Sequence, residues 1–153
     1  MTSMPRLDSS ISVLLADDDP DDCRLTMEAF RAARIDNPMQ FVEDGEVLLD
    51  YLKGRDRYAA TAPPLPGLIL LDLNMPRVDG REALAQIKSD PTLKHIPVVV
   101  LTTSSAEVDV ARAYQAGCNS FIQKPGSFGA LVEIASTLGR YWFSVVDLPE
   151  QPR

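Results

Sequence analysis

The sequence predicts a doubly wound α/β domain, a parallel sheet with helices on both faces. Five short β-rich runs alternate with five stretches of helical spacing, and strand-then-helix repetition of this kind builds a parallel sheet. The third run, Gly67-Leu68-Ile69-Leu70-Leu71-Asp72, and the fourth, Pro97 to Thr102, are apolar without alternation, as strands buried on both faces must be. A chain of 153 residues suits one such domain, with a core that needs no disulfide or metal to hold it.

The first strand is the run Ile11 to Ala16. Asp19 and Pro20 read as helix N-cap and first helical position, and Asp21 and Asp22 suit the positive end of the helix dipole. The first helix, Pro20 to Arg34, carries two apolar stripes, Leu25, Ala29 and Ala32 on one side and Cys23, Met27 and Phe30 on nearly the other. Met39 to Val42 make a second strand, Gly45 to Lys53 a second helix, and Gly54 to Pro66 a long loop. After the third strand, Asp79 to Ser89 form a helix. The fourth strand leads to a helix from Ser105 to Ala116, stopped by Gly117. Asn119 to Gln123 form the fifth strand, and the last helix runs from Ser127 to about Phe143. The domain therefore spans 11–143, between an N-terminal tail, 1–10, and a C-terminal tail, 144–153.

Composition narrows the function. A net charge of -7 speaks against nonspecific nucleic-acid binding, which needs a basic face. No apolar run approaches the roughly 18 residues of a membrane span, and the first fifteen residues lack the charged start and cleavage site of a signal. A soluble, acidic, cytoplasmic protein is expected, with Cys23 and Cys118 reduced and Cys118 serving as a small residue before the fifth strand. The single histidine, His95, falls in a loop and suits neither a phosphate donor nor a Ser-His-Asp arrangement.

In doubly wound folds ligands bind at the carboxyl ends of the strands. Here those ends carry Asp17 and Asp18, then Asp72 followed by Asn74, then Thr102, then Lys124 before Pro125. Capping accounts for Asp19, Asp21 and Asp22 but not for Asp17, Asp18 or Asp72. Two carboxylates about 4 Å apart repel by roughly 1–4 kcal/mol, so three on one rim call for a cation, and oxygen ligands alone suit Mg²⁺ or Mn²⁺. A metal on one side of a phosphoryl group, with a lysine and a hydroxyl on the other, stabilises phosphate in transfer, and Asp72 is the best placed nucleophile.

These residues resemble the receiver domain of two-component response regulators. The resemblance runs through Val13-Leu14-Leu15-Ala16-Asp17-Asp18-Asp19-Pro20, Leu70-Leu71-Asp72-Leu73-Asn74-Met75-Pro76, Asp79-Gly80, Val100-Leu101-Thr102 and Lys124-Pro125, nearly the whole chain. It implies a flavodoxin-like, three-layer (βα)5 fold with strand order 2-1-3-4-5. It makes Asp72 the acceptor of a phosphoryl group from the phosphohistidine of a sensor histidine kinase. The metal, Mg²⁺ with Mn²⁺ as a substitute, is held by Asp18, Asp72 and the backbone carbonyl of Asn74, with Asp17 acting through water or Lys124. Thr102 and Lys124 contact the phosphoryl oxygens, Phe121 holds the aromatic switch position, and a cis Lys124-Pro125 bond aims the lysine. The Thr102 hydroxyl, turning to the phosphoryl group, would vacate space for Phe121, and the fourth helix and fifth strand would shift.

About ten residues follow the last helix, so output through protein binding or a phosphorelay is expected, with no DNA-binding or membrane role and no enzymatic turnover beyond its own phosphorylation and dephosphorylation. One stripe of the first helix would receive the kinase's helical bundle. The apolar end of the chain, Leu131, Ile134, Leu138, Tyr141, Trp142, Phe143, Val145, Val146 and Leu148, together with the opening aspartates and the long loop before the third strand, resembles single-domain regulators paired with bacterial and cyanobacterial phytochromes. That likeness implies a homodimer through the fourth helix, fifth strand, fifth helix and tail. Two other readings are weaker. An aspartyl-phosphate phosphohydrolase wants an acid-base aspartate where this chain has Asn74, and a flavin module wants a phosphate-cradling loop where it has aspartates. A binding module that is never phosphorylated is the remaining alternative.

Overall fold

Apart from Thr102 at the end of the fourth, the central strands carry only apolar side chains, so the sheet they form has to be covered on both faces. In the computed structural model, which describes residues 10–149 apart from 62 and 105, this is what happens. Strands β1 (Val13–Ala16), β2 (Met39–Val42), β3 (Leu68–Leu71), β4 (Val98–Thr102) and β5 (Ser120–Gln123) lie parallel in the order β2-β1-β3-β4-β5. The helices are α1 (Pro20–Ala32), α2 (Gly45–Lys53), α3 (Gly80–Ser89), α4 (Glu107–Gln115) and α5 (Phe128–Arg140). Leu14, Ala16, Ile69, Leu71, Val98 and Val100 face α2, α3 and α4. Val13, Leu15, Leu68, Leu70 and Val99 face α1 and α5. Alternate residues of one strand thus feed two separate cores.

Side-chain caps set the helix starts. Asp19 accepts from the backbone N–H of Asp21 and Asp22, Asp44 from Val47, Asp79 from Arg81 and Glu82, and Ser127 from Ala130. Asp79 and Ser127 are caps rather than first helical residues, and the fourth helix begins at Glu107; Ser105, where it was expected, lies outside the described residues. Among its described residues the long loop holds one 3₁₀ turn, Asp56–Tyr58.

Three expectations need correction. The last helix ends at Arg140, and Tyr141–Val145 continue as one wider turn closed by the Val146 N–H on the Tyr141 carbonyl at 3.1 Å. Trp142 and Phe143 on this turn are both buried in the core. The tail then returns to the sheet, where the partly buried Val146 and Leu148 pack against the α1–α5 core, so much of the apolar surplus is covered by the chain itself, while Tyr141 and Val145 stay exposed. On α1 the inner face is Cys23, Thr26, Ala29 and Phe30, while Leu25 and Ala32 are exposed; Ala29 belongs with the buried stripe. The N-terminal tail up to residue 9 and residues 150–153 lie outside the described residues. No helix among those described is long and apolar enough to cross a membrane.

Candidate functional site

Three backbone hydrogen bonds extend the sheet ladder by one residue at the carboxyl ends of the strands, joining β1 to β2, β3 to β1 and β5 to β4. Asp17 N–H donates to the Val42 carbonyl at 3.0 Å, Asp72 N–H to Ala16 at 2.9 Å, and Lys124 N–H to Thr102 at 2.7 Å. The side chains that leave the sheet here therefore start from fixed backbone. Gly80 lets the β3–α3 loop close tightly over this end, because a Cβ at that position would collide with the Asp72 carbonyl oxygen.

The buried Asp72 carboxylate is fully engaged. Its Oδ1 accepts from Thr102 Oγ1 at 2.8 Å and from the Asn74 N–H at 3.1 Å, and its Oδ2 accepts from Lys124 Nζ at 3.2 Å. Thr102 is wholly buried. Lys124 Nζ also donates to Asp17 Oδ2 at 2.6 Å and to Asp22 Oδ2 at 3.0 Å. Burial opposes the lysine's charge, but its hydrogen bond to Asp17 and the surrounding carboxylates outweigh that and hold the ammonium above the usual lysine range. Burial also pushes the Asp17 carboxyl up to about 6, against the pull of Lys124. The neighbouring Cys23 thiol is pushed up to about 12 by burial and by Asp17, so it is a packed, unreactive group.

Asp17, Asp18 and Asp72 each bring one carboxylate oxygen within 4.8 Å of the others. Hard oxygen donors at this spacing fit a divalent cation of the magnesium kind and not zinc. One ammonium cannot offset the four carboxylates of Asp17, Asp18, Asp22 and Asp72: with all four ionised, three negative charges are left unbalanced.

The sequence-derived residues Asp17, Asp18, Asp72, Thr102 and Lys124 thus meet at one rim. Asn74 is present through its N–H on Asp72, with its side chain exposed. Phe121 is half-buried against the α2–α3 core; strand register pairs it with Val100, two residues before Thr102 and on the same face. The cis expectation at Lys124-Pro125 is corrected: no peptide bond among the described residues is cis.

Two features escaped sequence reasoning. Asp22, assigned to the helix dipole, points its carboxylate at Lys124. Arg81 at the start of α3 forms a two-pronged pair with Asp109 of α4, at 3.1 and 3.0 Å, and Ser104 Oγ donates to the same carboxylate at 2.5 Å. These partners lie 28 positions apart on different helices, and only the known fold could have paired them.

A five-stranded parallel sheet in this order with an acidic, lysine-bearing rim defines a response regulator receiver, and the chain belongs to that family: the response regulator receiver domain matches residues 13–136. It is 39% identical over 137 residues to the response regulator Rcp1 of Synechocystis sp., covering 90% of this chain and 92% of Rcp1. The phosphorylated cyanobacterial phytochrome response regulator RcpA superposes with a TM-score of 0.84 at 40% identity, over 92% of this chain and 99% of that one. The Mn²⁺-bound form of Rcp1 superposes with a TM-score of 0.83 at 38% identity, with the same coverage. The protein is a receiver-type signalling protein related to phytochrome response regulators, and its family binds divalent metal and works with sensor kinases in two-component systems.

Proposed function

We propose that Asp72 accepts a phosphoryl group from the phosphohistidine of a sensor histidine kinase, with Mg²⁺ held by Asp17, Asp18, Asp72 and the Asn74 carbonyl. The observation that carries this is the Asp72 carboxylate bonded at once to the Thr102 hydroxyl and the Lys124 ammonium. In transfer, a carboxylate oxygen of Asp72 forms a bond to phosphorus as the bond from phosphorus to the histidine nitrogen breaks. Lys124 and Thr102 then turn their donors from Asp72 to the phosphoryl oxygens. Mg²⁺, when bound, neutralises charge that builds on those oxygens; Mn²⁺, which Rcp1 binds, would serve likewise. Once Thr102 has turned, Phe121 moves toward the space it leaves, and α4 and β5 follow.

The kinase docks at the cleft of about 140 Å³ between α1 and the start of α5, where exposed Leu25 and Phe128 flank Lys124. A phytochrome-type kinase is the proposed partner, supported by the likeness to RcpA. Output is protein binding or onward phosphotransfer in the cytoplasm, with no DNA contact. A homodimer through α4, β5, α5 and the tail is supported by the exposed Val108, Tyr114, Tyr141 and Val145. Light scattering at tens of micromolar should return a dimeric mass; a monomeric mass overturns this part.

Phosphotransfer from a radiolabelled histidine kinase of the phytochrome type tests the rest. The label is expected on the wild-type chain and absent from the Asp72→Asn variant. Transfer only from other sensor kinases would remove the phytochrome pairing, and transfer to both chains alike would remove Asp72 as acceptor.

A further inference from the structure

An ammonium has three protons to donate, and Lys124 places all three on carboxylates, those of Asp17, Asp22 and Asp72. Asp17 and Asp72 belong to the strand-end rim. Asp22 does not: it stands in the first turn of α1 and is 38% exposed beside the α1–α5 cleft. It is not needed as a cap, since Asp19 fills that position. Among the described residues its side chain has one bond, to Lys124.

The geometry points to a role for that bond, and the inference rests on Asp72 being the phosphoryl acceptor. Lys124 turns its Asp72 bond to the arriving phosphoryl oxygen, and for the ammonium to move toward that oxygen one of its other two carboxylate bonds must loosen. Asp17 is buried and makes the shortest contact, so water cannot replace what it would lose. Asp22 faces solvent and lets go more readily. We propose that Asp22 is a positioning residue that holds the Lys124 ammonium partly away from the reacting centre and so restrains phosphorylation of Asp72 until the ion pair opens.

The idea requires a gain on removal of Asp22, an outcome that damage to the fold does not produce. With Mg²⁺ saturating, Asp22→Asn and Asp22→Ala are expected to raise the initial rate of phosphorylation roughly three- to tenfold, and Asp22→Glu to stay near wild type. The gain should be alike with phosphoramidate and with the more highly charged acetyl phosphate, because it acts through the lysine. A rate unchanged within about twofold, or lowered, overturns the proposal. A gain confined to acetyl phosphate also overturns it, since simple repulsion of the donor by Asp22 would then suffice. In the metal-free protein, NMR should find the Lys124 ammonium protons exchanging with water faster in Asp22→Asn than in wild type; unchanged exchange contradicts the role. A wild-type chain that takes no phosphoryl group from either donor refutes the acceptor reading itself, and this one with it.

Discussion

Asp72 and Thr102 show how closely chemistry and stability are tied at this rim. The Thr102 hydroxyl satisfies a buried carboxylate oxygen, and its loss leaves that oxygen with the Asn74 N–H alone. Thr102→Ala is expected to lower unfolding stability by about 1–3 kcal/mol, and Thr102→Ser to recover most of it. Urea denaturation measures both. Gly80→Ala forces a Cβ into the Asp72 carbonyl and Leu73, and should cost about 1–3 kcal/mol by displacing the β3 end. Calorimetry would register that as a lower melting temperature, with phosphorylation of Asp72 slowed in parallel. At this scale Asp17, Asp18, Asp72, Thr102 and Lys124 were legible because polar residues that end apolar strands have no structural task to explain them. Asp22 was not, because a carboxylate in the first turn of a helix already has one.

Among the elements, α4 is attached unlike the others. Ala113 is its one buried residue, whereas α2 buries five. Polar ties take the place of packing: Arg81 and Ser104 hold Asp109 near the start of the helix, and the Tyr114 hydroxyl near its end accepts the N–H of Phe121 in β5. Such an element is suited to changing position when the β4 end changes its bonds. Arg81→Ala is expected to speed amide exchange across α4 roughly two- to fivefold while leaving the central strands unaffected. The arginine and the Ser104 hydroxyl hold the Asp109 carboxyl below the usual carboxylate range. A lowered folded value means the tie is fully present above the ordinary carboxylate pKa and is lost as pH falls through the folded one. Protection of α4 should therefore fall on acidification in wild type and show little such dependence in Arg81→Ala. Strand and helix order could be read from apolar periodicity, but the end of α5 could not. Tyr141, Trp142 and Phe143 in succession carry no apolar period from which the end of the regular winding could be read.

For the whole molecule, an acidic chain concentrates uncompensated carboxylates at one end of its sheet, so a divalent cation should stabilise the fold. At about a hundredfold excess of Mg²⁺ over its dissociation constant, mass action gives about 2.7 kcal/mol, a rise of roughly 5–10 °C in melting temperature. Asp18→Asn should abolish most of that rise, since Asp18 supplies one of the three clustered oxygens. On this reading the rim itself performs the phosphoryl chemistry, and a partner supplies only the donor. The direct test is intact mass after incubation with Mg²⁺ and phosphoramidate, with no kinase present. One phosphoryl group gained by the wild type, and none without metal or in Asp72→Asn, is the expected result. An equal gain in Asp72→Asn, or no gain in wild type with metal and donor saturating, would contradict it.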